Sequence, residues 1–213
     1  MTEIHKKYRL YTIGHSSHTQ EEFLRLLQED DVDCIVDVRS VPASKYAPQF
    51  NQDALDSFLR HHSVEYFFCG QEFGARRLDA FNSDGQVDFE LAVHTSLFQQ
   101  GVERLMPLLS NRHVALMCSE ANPLECHRFA LVARYFHEHD VEVEHILKDA
   151  STVSHNSLEQ EMVKQYLTAR KHQLADVDEL FGTYTREDQL RDAYRLKNKE
   201  IGYRVKQQEA YYD

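Results

Sequence analysis

Five short apolar runs alternate with stretches of helical periodicity along this chain, and that alternation constrains its fold more than any other feature. The runs fall at residues 8–13, 34–38, 65–69, 114–117 and 141–146, each short enough to be a strand. Between them, Thr19 and Glu22 form a capping box ahead of Phe23, Leu24, Leu26 and Leu27. Helical patterns follow at residues 52–61, around 88–109 with Pro107 shortening the run, and at 123–139 and 156–170. Strands and helices alternating in this way predict a largely parallel sheet, right-handed crossovers and helices on both faces. The expected fold is therefore α/β: a Rossmann-like, three-layer domain of about five mostly parallel strands over residues 1–170. Residues 171–213 differ in character and are expected to form a charged extension, helical or partly disordered. In it Thr185 caps a helix reaching about residue 208, with Leu190, Tyr194, Ile201 and Val205 on one side and Gly202 weakening it.

Charge narrows the function classes. The chain carries a net charge of -11, which opposes bulk nucleic-acid binding and anionic membranes. The acidity sits in the body, since residues 171–213 hold 8 of the 24 Lys/Arg and 9 of the 35 Asp/Glu. No apolar run is long enough to span a bilayer, and residues 1–5 show no signal-peptide pattern. Cys34, Cys69, Cys118 and Cys126 form no secreted disulfide framework and suit reduced thiols, so the expected location is the cytoplasm. The balanced tail reads as a helix that docks on the body or on a second subunit, with a nucleic-acid-contacting arm as the weaker alternative.

In open α/β sheets, ligands bind outside the carboxyl ends of the strands. Here nearly every strand exit carries chemistry. The first ends in Gly14-His15-Ser16-Ser17-His18, the second in Asp37-Val38-Arg39-Ser40-Val41-Pro42-Ala43-Ser44, and the fourth in Cys118-Ser119-Glu120. The fifth carries His145, followed by Lys148 and Asp149. Arg39 has two readings: a fork for a carboxylate or phosphate, or a structural ion pair with an acid such as Glu120. Asp37 shares its side of the strand with Arg39. Ser40 and Ser44 either donate to an anion or satisfy the turn set by Pro42.

The densest stretch runs from Cys118 to Arg128. Asn122, Pro123 and Glu125 make a strong helix start, so the chain should leave β-structure, turn and enter a helix spanning 123–139. Cys118 would then face the helix dipole as a candidate nucleophile, against the common alternative of an inert core thiol. Cys126 continues an apolar stripe with Phe129, Ala130, Ala133 and Phe136, and packing is its default role. Arg128 reaches back to the mouth or pairs with Glu125. His15, His18, Cys118, Cys126, His127 and His145 are potential ligands, but no zinc-motif spacing joins them, so no metal or other cofactor is expected.

Several of these elements together resemble a known family. Thr12-Ile13-Gly14-His15-Ser16, Val36-Asp37-Val38-Arg39-Ser40-Val41-Pro42-Ala43-Ser44, Cys118-Ser119-Glu120 through Cys126-His127-Arg128, and His145-Ile146-Leu147 look like the bacterial domain of unknown function family 488. The match is ordered and spans about residues 8–160, and the tail lies outside it. Phe73-Gly74-Ala75 departs from the paired glycine typical of the family. A fainter likeness to rhodaneses and cysteine phosphatases fails on spacing, because Pro123 intervenes between Cys118 and Arg128. The resemblance implies a family and no reaction.

The function expected from these residues is binding of an anionic ligand such as a nucleotide, a phosphosugar or a nucleic-acid end, by an enzyme or a former enzyme, with processing left open. Arg39, Ser40, Ser44, Arg128, His127, Asp37 and Cys126 are the ligand-binding candidates, and Cys118, Glu120, His15 and His145 the catalytic ones. Two alternatives stand beside it: a non-catalytic sensor or protein-interaction module with structural cysteines, contacting partners or a second copy through its C-terminal helix, and a sulfur-transfer or redox enzyme using Cys118.

Overall fold

Strand polarity and side-chain alternation build the sheet. A computed structural model describes residues 8–170 and 185–205, with residues 167–170 described by backbone alone. Strands β1 (Tyr8–Gly14), β2 (Cys34–Asp37), β3 (Glu65–Phe68), β4 (Val114–Cys118), β5 (Val141–Ile146) and β6 (Thr152–Ser154) form one sheet in the order β3-β2-β4-β1-β5-β6. The first five pair in parallel, and only β6 is antiparallel. β6 was not expected: it is three residues long and follows a tight turn at Asp149, too short to leave a periodic signal.

Alternation along β4 separates two cores. Val114, Leu116 and Cys118 join one cluster, whereas Ala115 and Met117 join the other. The second cluster is closed by α1 (Gln20–Glu29) and α2 (Gln52–His61) through Phe23, Leu27, Leu55 and Leu59. The first takes Phe73 of α3 (Gly70–Phe73), Phe89 of α4 (Phe89–Ala92), Phe98 and Leu105 of α5 (Ser96–Leu109), and the helical stretch from Arg128 into α6 (Arg134–Glu138). Packing on both sides explains why the central strands read as continuous apolar runs. The capping box at Thr19 forms as expected. The single helix expected around 88–109 is two, because Thr95 turns out of the helical path and caps α5 afresh, and Pro107 is accommodated within the last turn.

The tail helix docks on its own body. α8 (Arg186–Ile201), capped by Thr185, packs against α7 (His155–Arg170) and buries Ala193, Tyr194 and Lys197. Leu190 and Ile201 lie against the same core, while Val205 stays exposed. Residues 171–184 and 206–213, which include the expected end of this helix at 208, lie outside the described residues. Among the described residues no helix is long and apolar enough to cross a membrane.

A buried polar chain joins α8 to the sheet. Thr12 Oγ1 lies 2.7 Å from His145 Nδ1, His145 Nε2 3.1 Å from His155 Nδ1, and His155 Nε2 2.8 Å from the Tyr194 hydroxyl. That hydroxyl donates to Glu159 at 2.8 Å. His145 is therefore occupied at both ring nitrogens and fully buried. Burial, then the Arg128 charge, pushes its pKa down to about 3.

This gives a pH prediction with a fixed sign. The unfolded chain protonates His145 near pH 6.5 and the folded chain only near 3, so stability is complete above about pH 6.5 and falls as pH drops through that window. The loss approaches ~1.4 kcal/mol per pH unit from this residue alone. Urea unfolding between pH 4 and 7 should show a shallower pH slope in His145→Asn than in the native chain.

Candidate functional site at the exit of β4

Topology selects the crevice between β1 and β4. β1 feeds α1 on one face of the sheet, while β4 feeds the Arg128 helix on the other, so the two adjacent connections diverge, which is where open α/β sheets take their ligands. The ladder extends past both ends, with His15 N–H donating to Cys118 C=O and Ser16 N–H to Ser119 C=O, each at 2.9 Å. Gly14 is obligatory here, since a Cβ on it would lie 1.8 Å from the Glu120 carbonyl oxygen.

The helix expected from 123 does not start there. Asn122 caps only a short 3₁₀ turn, Pro123–Glu125, and Cys126 is then extended at φ -129°, ψ 141°. The helix begins afresh behind Cys126, running as a π-helical stretch over Arg128–Ala133 and then as α6. Cys126 thus occupies the N-terminal end of the helix: its carbonyl accepts from Phe129 N–H at 3.1 Å and its sulfur from Arg128 N–H at 3.4 Å. The Asn122–Glu125 signal was genuine, but it nucleates one turn and no more.

Four side chains converge as a result. Glu120 Oε2 lies 3.1 Å from Cys118 Sγ and 3.0 Å from Cys126 Sγ. His127 Nδ1 lies 3.9 Å from the first sulfur and 3.8 Å from the second. His127 Nε2 is 3.0 Å from the Val38 carbonyl, which can only accept, so Nε2 carries a proton and Nδ1 faces both sulfurs. Against its burial, the charge on Cys126 and the Val38 contact raise the His127 pKa. The donor atoms of Cys118, Cys126 and His127 all lie within 4.8 Å of one another.

The two thiols are electrostatically distinct. Burial disfavours a thiolate on Cys126, but the hydrogen bond from Cys118, the Arg128 charge and His127 outweigh it and hold its pKa well below the usual thiol range. Cys118 is driven the other way by its hydrogen bond to Cys126 and by burial. Glu120 is raised by burial of its carboxylate and by the charge on Cys126. Of the pair, Cys126 is the sulfur that its surroundings hold toward thiolate, whereas the nucleophile expected from the sequence is Cys118. Cys34 and Cys69, pushed up by burial to about 12 and about 11, are inert core thiols.

Arg128 is fully buried, with Nη1 donating to Glu120 C=O at 2.5 Å and Nη2 to Ala121 C=O at 3.0 Å. It reaches back to the mouth and does not pair with Glu125. Its Nε is the one fully buried side-chain nitrogen or oxygen among the described residues without a hydrogen-bond partner.

Arg39 takes the ion-pair alternative, with Asp37 in place of Glu120. Its Nε donates to Asp37 Oδ1 at 2.9 Å and its Nη2 to Oδ2 at 2.6 Å and to Phe50 C=O at 2.9 Å. Tyr66 also donates to Asp37, at 2.7 Å. Arg39 Nη1 lies 3.3 Å from His15 Nε2, whose ring stacks on Phe50 with centroids 4.4 Å apart. Burial, then the Arg39 charge, lowers His15 to about 4, so it is neutral in the cleft wall. Ser40 Oγ accepts from Arg76 N–H at 2.9 Å and ties two loops together, whereas Ser44 Oγ accepts from Tyr46 N–H at 3.1 Å and closes a local turn. Gly74 permits the first tie, since a Cβ there would meet Ser40 Oγ at 2.4 Å. Glu120, Cys118, Cys126 and His127 are thus brought together, His15 and Arg39 form the adjoining wall, and His145 is sequestered in the core. Val38 and Tyr66, which orient His127 and Asp37, gave no signal in the sequence because one acts through its backbone and the other reads as strand aromatic.

The sequence model of the family described as "Domain of unknown function DUF488" matches residues 19–136. The chain belongs to this family. The DUF488 stretch contains the whole Cys118–Arg128 cluster together with the Asp37–Arg39 pair, and excludes His15 and His145. A search of curated proteins found no match.

Two substitutions test this geometry. Asp37→Asn removes the partner of a buried guanidinium and should cost about 3–5 kcal/mol. Gly14→Ala must push the Glu120 turn outward and should cost about 1–3 kcal/mol or more. Both are read by urea denaturation at pH 7, and a loss below ~0.5 kcal/mol in either contradicts the packing described here.

Proposed function

We infer that this chain is an enzyme acting on an anionic, phosphorylated or nucleotide-like ligand in the cleft outside β1, β2 and β4, with Glu120 and the Cys118–Cys126–His127 group as its reaction centre. The observation that carries this is Arg128. A buried guanidinium held only by two carbonyls leaves a positive charge directly behind the cluster, with no carboxylate among the described residues paired to it. Positive charge kept dry at a strand-exit cleft favours negative charge in front of it. The Rossmann-like arrangement, with its strand order reversing at β1 and β4, supports the same position for a ligand. Glu120, on the solvent side of the thiol pair, is the proton-transfer group. Arg39, neutralised by Asp37, acts as wall in place of anion fork. Four free buried cysteines suit a reducing cytoplasm.

A sulfur-transfer or redox reading has one specific observation in its favour. The Cys126 sulfur accepts the Arg128 N–H at a helix N-terminus, an arrangement that activates thiols. In that reading the nucleophile is Cys126 and Cys118 its resolving partner.

Thermal unfolding of the full chain against nucleotides, sugar phosphates and short oligonucleotides tests the main reading. A ligand at about a hundred times its dissociation constant should add ~2.7 kcal/mol. Glu120→Gln should retain that shift while turnover of the same ligand drops about 10²–10⁴-fold. A folded protein that shifts with no member of the panel sinks the reading.

A further inference from the structure

The reaction centre has an excess of electron pairs. Two sulfurs, one carboxylate oxygen and one imidazole nitrogen point at a common centre. His127 Nε2 is committed to the Val38 carbonyl, which leaves Nδ1 as the ring atom aimed at the sulfurs. The lone pairs of that centre are taken up by mobile thiol, carboxyl or imidazolium protons, or by a cation.

We propose that Cys118, Cys126 and His127 bind a thiophilic divalent cation of the zinc class, with Glu120 as a displaceable fourth ligand at the cleft side. Geometry supports this first. Bonds of about 2.3 Å to sulfur and 2.0–2.1 Å to nitrogen in a tetrahedron place neighbouring ligand atoms about 3.5–3.8 Å apart. The two observed sulfur-to-nitrogen separations, 3.9 and 3.8 Å, need close by only about 0.3 Å to reach the sulfur-to-nitrogen edge of about 3.5 Å. The Glu120 oxygen at 3.0–3.1 Å from the sulfurs would move outward by about half an ångström, which its place on the solvent side of the cluster allows.

Chemistry supports it second. A ligating histidine normally donates its other ring N–H to a carbonyl or carboxylate, which fixes the tautomer and aims the lone pair, and His127 has that arrangement through Val38. Two soft thiolates with one imidazole select zinc-class ions over magnesium or calcium. Charge supports it third. Two thiolates and a dication sum to zero, and Glu120 then balances the otherwise unpaired Arg128. Three fixed ligands and one displaceable one match the pattern of catalytic rather than structural zinc. The inference rests on the reading of this cluster as the reaction centre, and it adds the group that would receive the oxyanion of the ligand.

The absence of a zinc motif in the sequence is no obstacle. Standard spacings describe particular loops, whereas here the first ligand ends a strand, the other two begin a helix, and the turn between them is clamped by Arg128.

The test is metal content and cobalt substitution of the full-length protein. Elemental analysis after purification in zinc-supplemented buffer should give one zinc per chain. Cobalt(II) added to the zinc-stripped protein should give thiolate-to-metal charge-transfer bands and tetrahedral d–d bands, abolished by stoichiometric zinc. Cys118→Ser, Cys126→Ser and His127→Gln should each weaken zinc binding by more than about a hundredfold, beyond the effect of an outer-shell contact. Cys34→Ala and Cys69→Ala should leave it unchanged. Zinc should also protect Cys118 and Cys126 from iodoacetamide, a readout that needs no variant. A folded native protein with no zinc, no cobalt–thiolate band and no protection overturns the proposal, as does binding indifferent to all three ligand substitutions. Zinc bound without any ligand response leaves the metal site standing and removes the anionic-ligand reading. Ligand binding and turnover undiminished in a protein that takes up no zinc does the reverse.

Discussion

Arg128 is the contact on which the arrangement of this molecule's cleft depends. Its two hydrogen bonds reach the carbonyls of Glu120 and Ala121, residues that belong to the turn after β4, from the first turn of the helix that follows. Gly14 presses on the same turn from β1. Between them, an otherwise free loop is fixed to within packing distance on two sides. Cys118 comes from the strand and Cys126 from the helix start, and only a clamped turn brings the two sulfurs onto one carboxylate oxygen. The bonds are made to main-chain carbonyls, so they hold the turn whatever the charge state of the side chains above it. Arg128 is accordingly a structural clamp and an electrostatic element at once, because holding the loop in this way leaves its charge unpaired.

The second buried arginine works in the opposite sense. Arg39 is neutralised by Asp37, which accepts from the Arg39 backbone, its guanidinium and Tyr66 together. The pair stiffens the exit of β2, where Val38 must present its carbonyl to His127. A rigid ion pair two residues apart thus helps to orient the ring of a histidine about ninety positions further along. One arginine is spent on shape alone and the other contributes charge, and sequence gave no way to tell which was which.

Much of the fold was legible because it depends on local signals. Burial on both faces made the central strands continuous apolar runs, and the capping boxes at Thr19 and Thr185 marked helix starts where they occur. The convergence of chemistry at strand exits was legible too, since it follows from parallel topology alone. What stayed hidden was set by long-range contacts. The Asn122–Pro123–Glu125 start looked like the head of one helix, and only the demand that Cys126 meet Cys118 and Glu120 breaks it after a turn. His145 sits at a strand exit by position, yet its side chain points into a polar chain with His155 and Tyr194, two residues from distant segments. β6 is too short for periodicity to register at all.

The break at Cys126 carries the largest functional consequence. Had the helix run unbroken from Pro123, Cys126 would lie three residues inside it, with its sulfur on the apolar stripe with Phe129. With the helix starting behind it, Cys126 stays buried but also caps that helix, its carbonyl accepting from Phe129 N–H and its sulfur from Arg128 N–H. Its neighbours then change role with it: His127 swings to Val38, and Arg128 enters the core beneath the turn. The π-helical stretch that follows lets Phe129, Ala130, Ala133 and Phe136 remain buried despite the shifted start, because its extra residue per turn absorbs part of the offset. Sulfur chemistry and core packing, which a regular helix would set against each other, are both satisfied by one local irregularity.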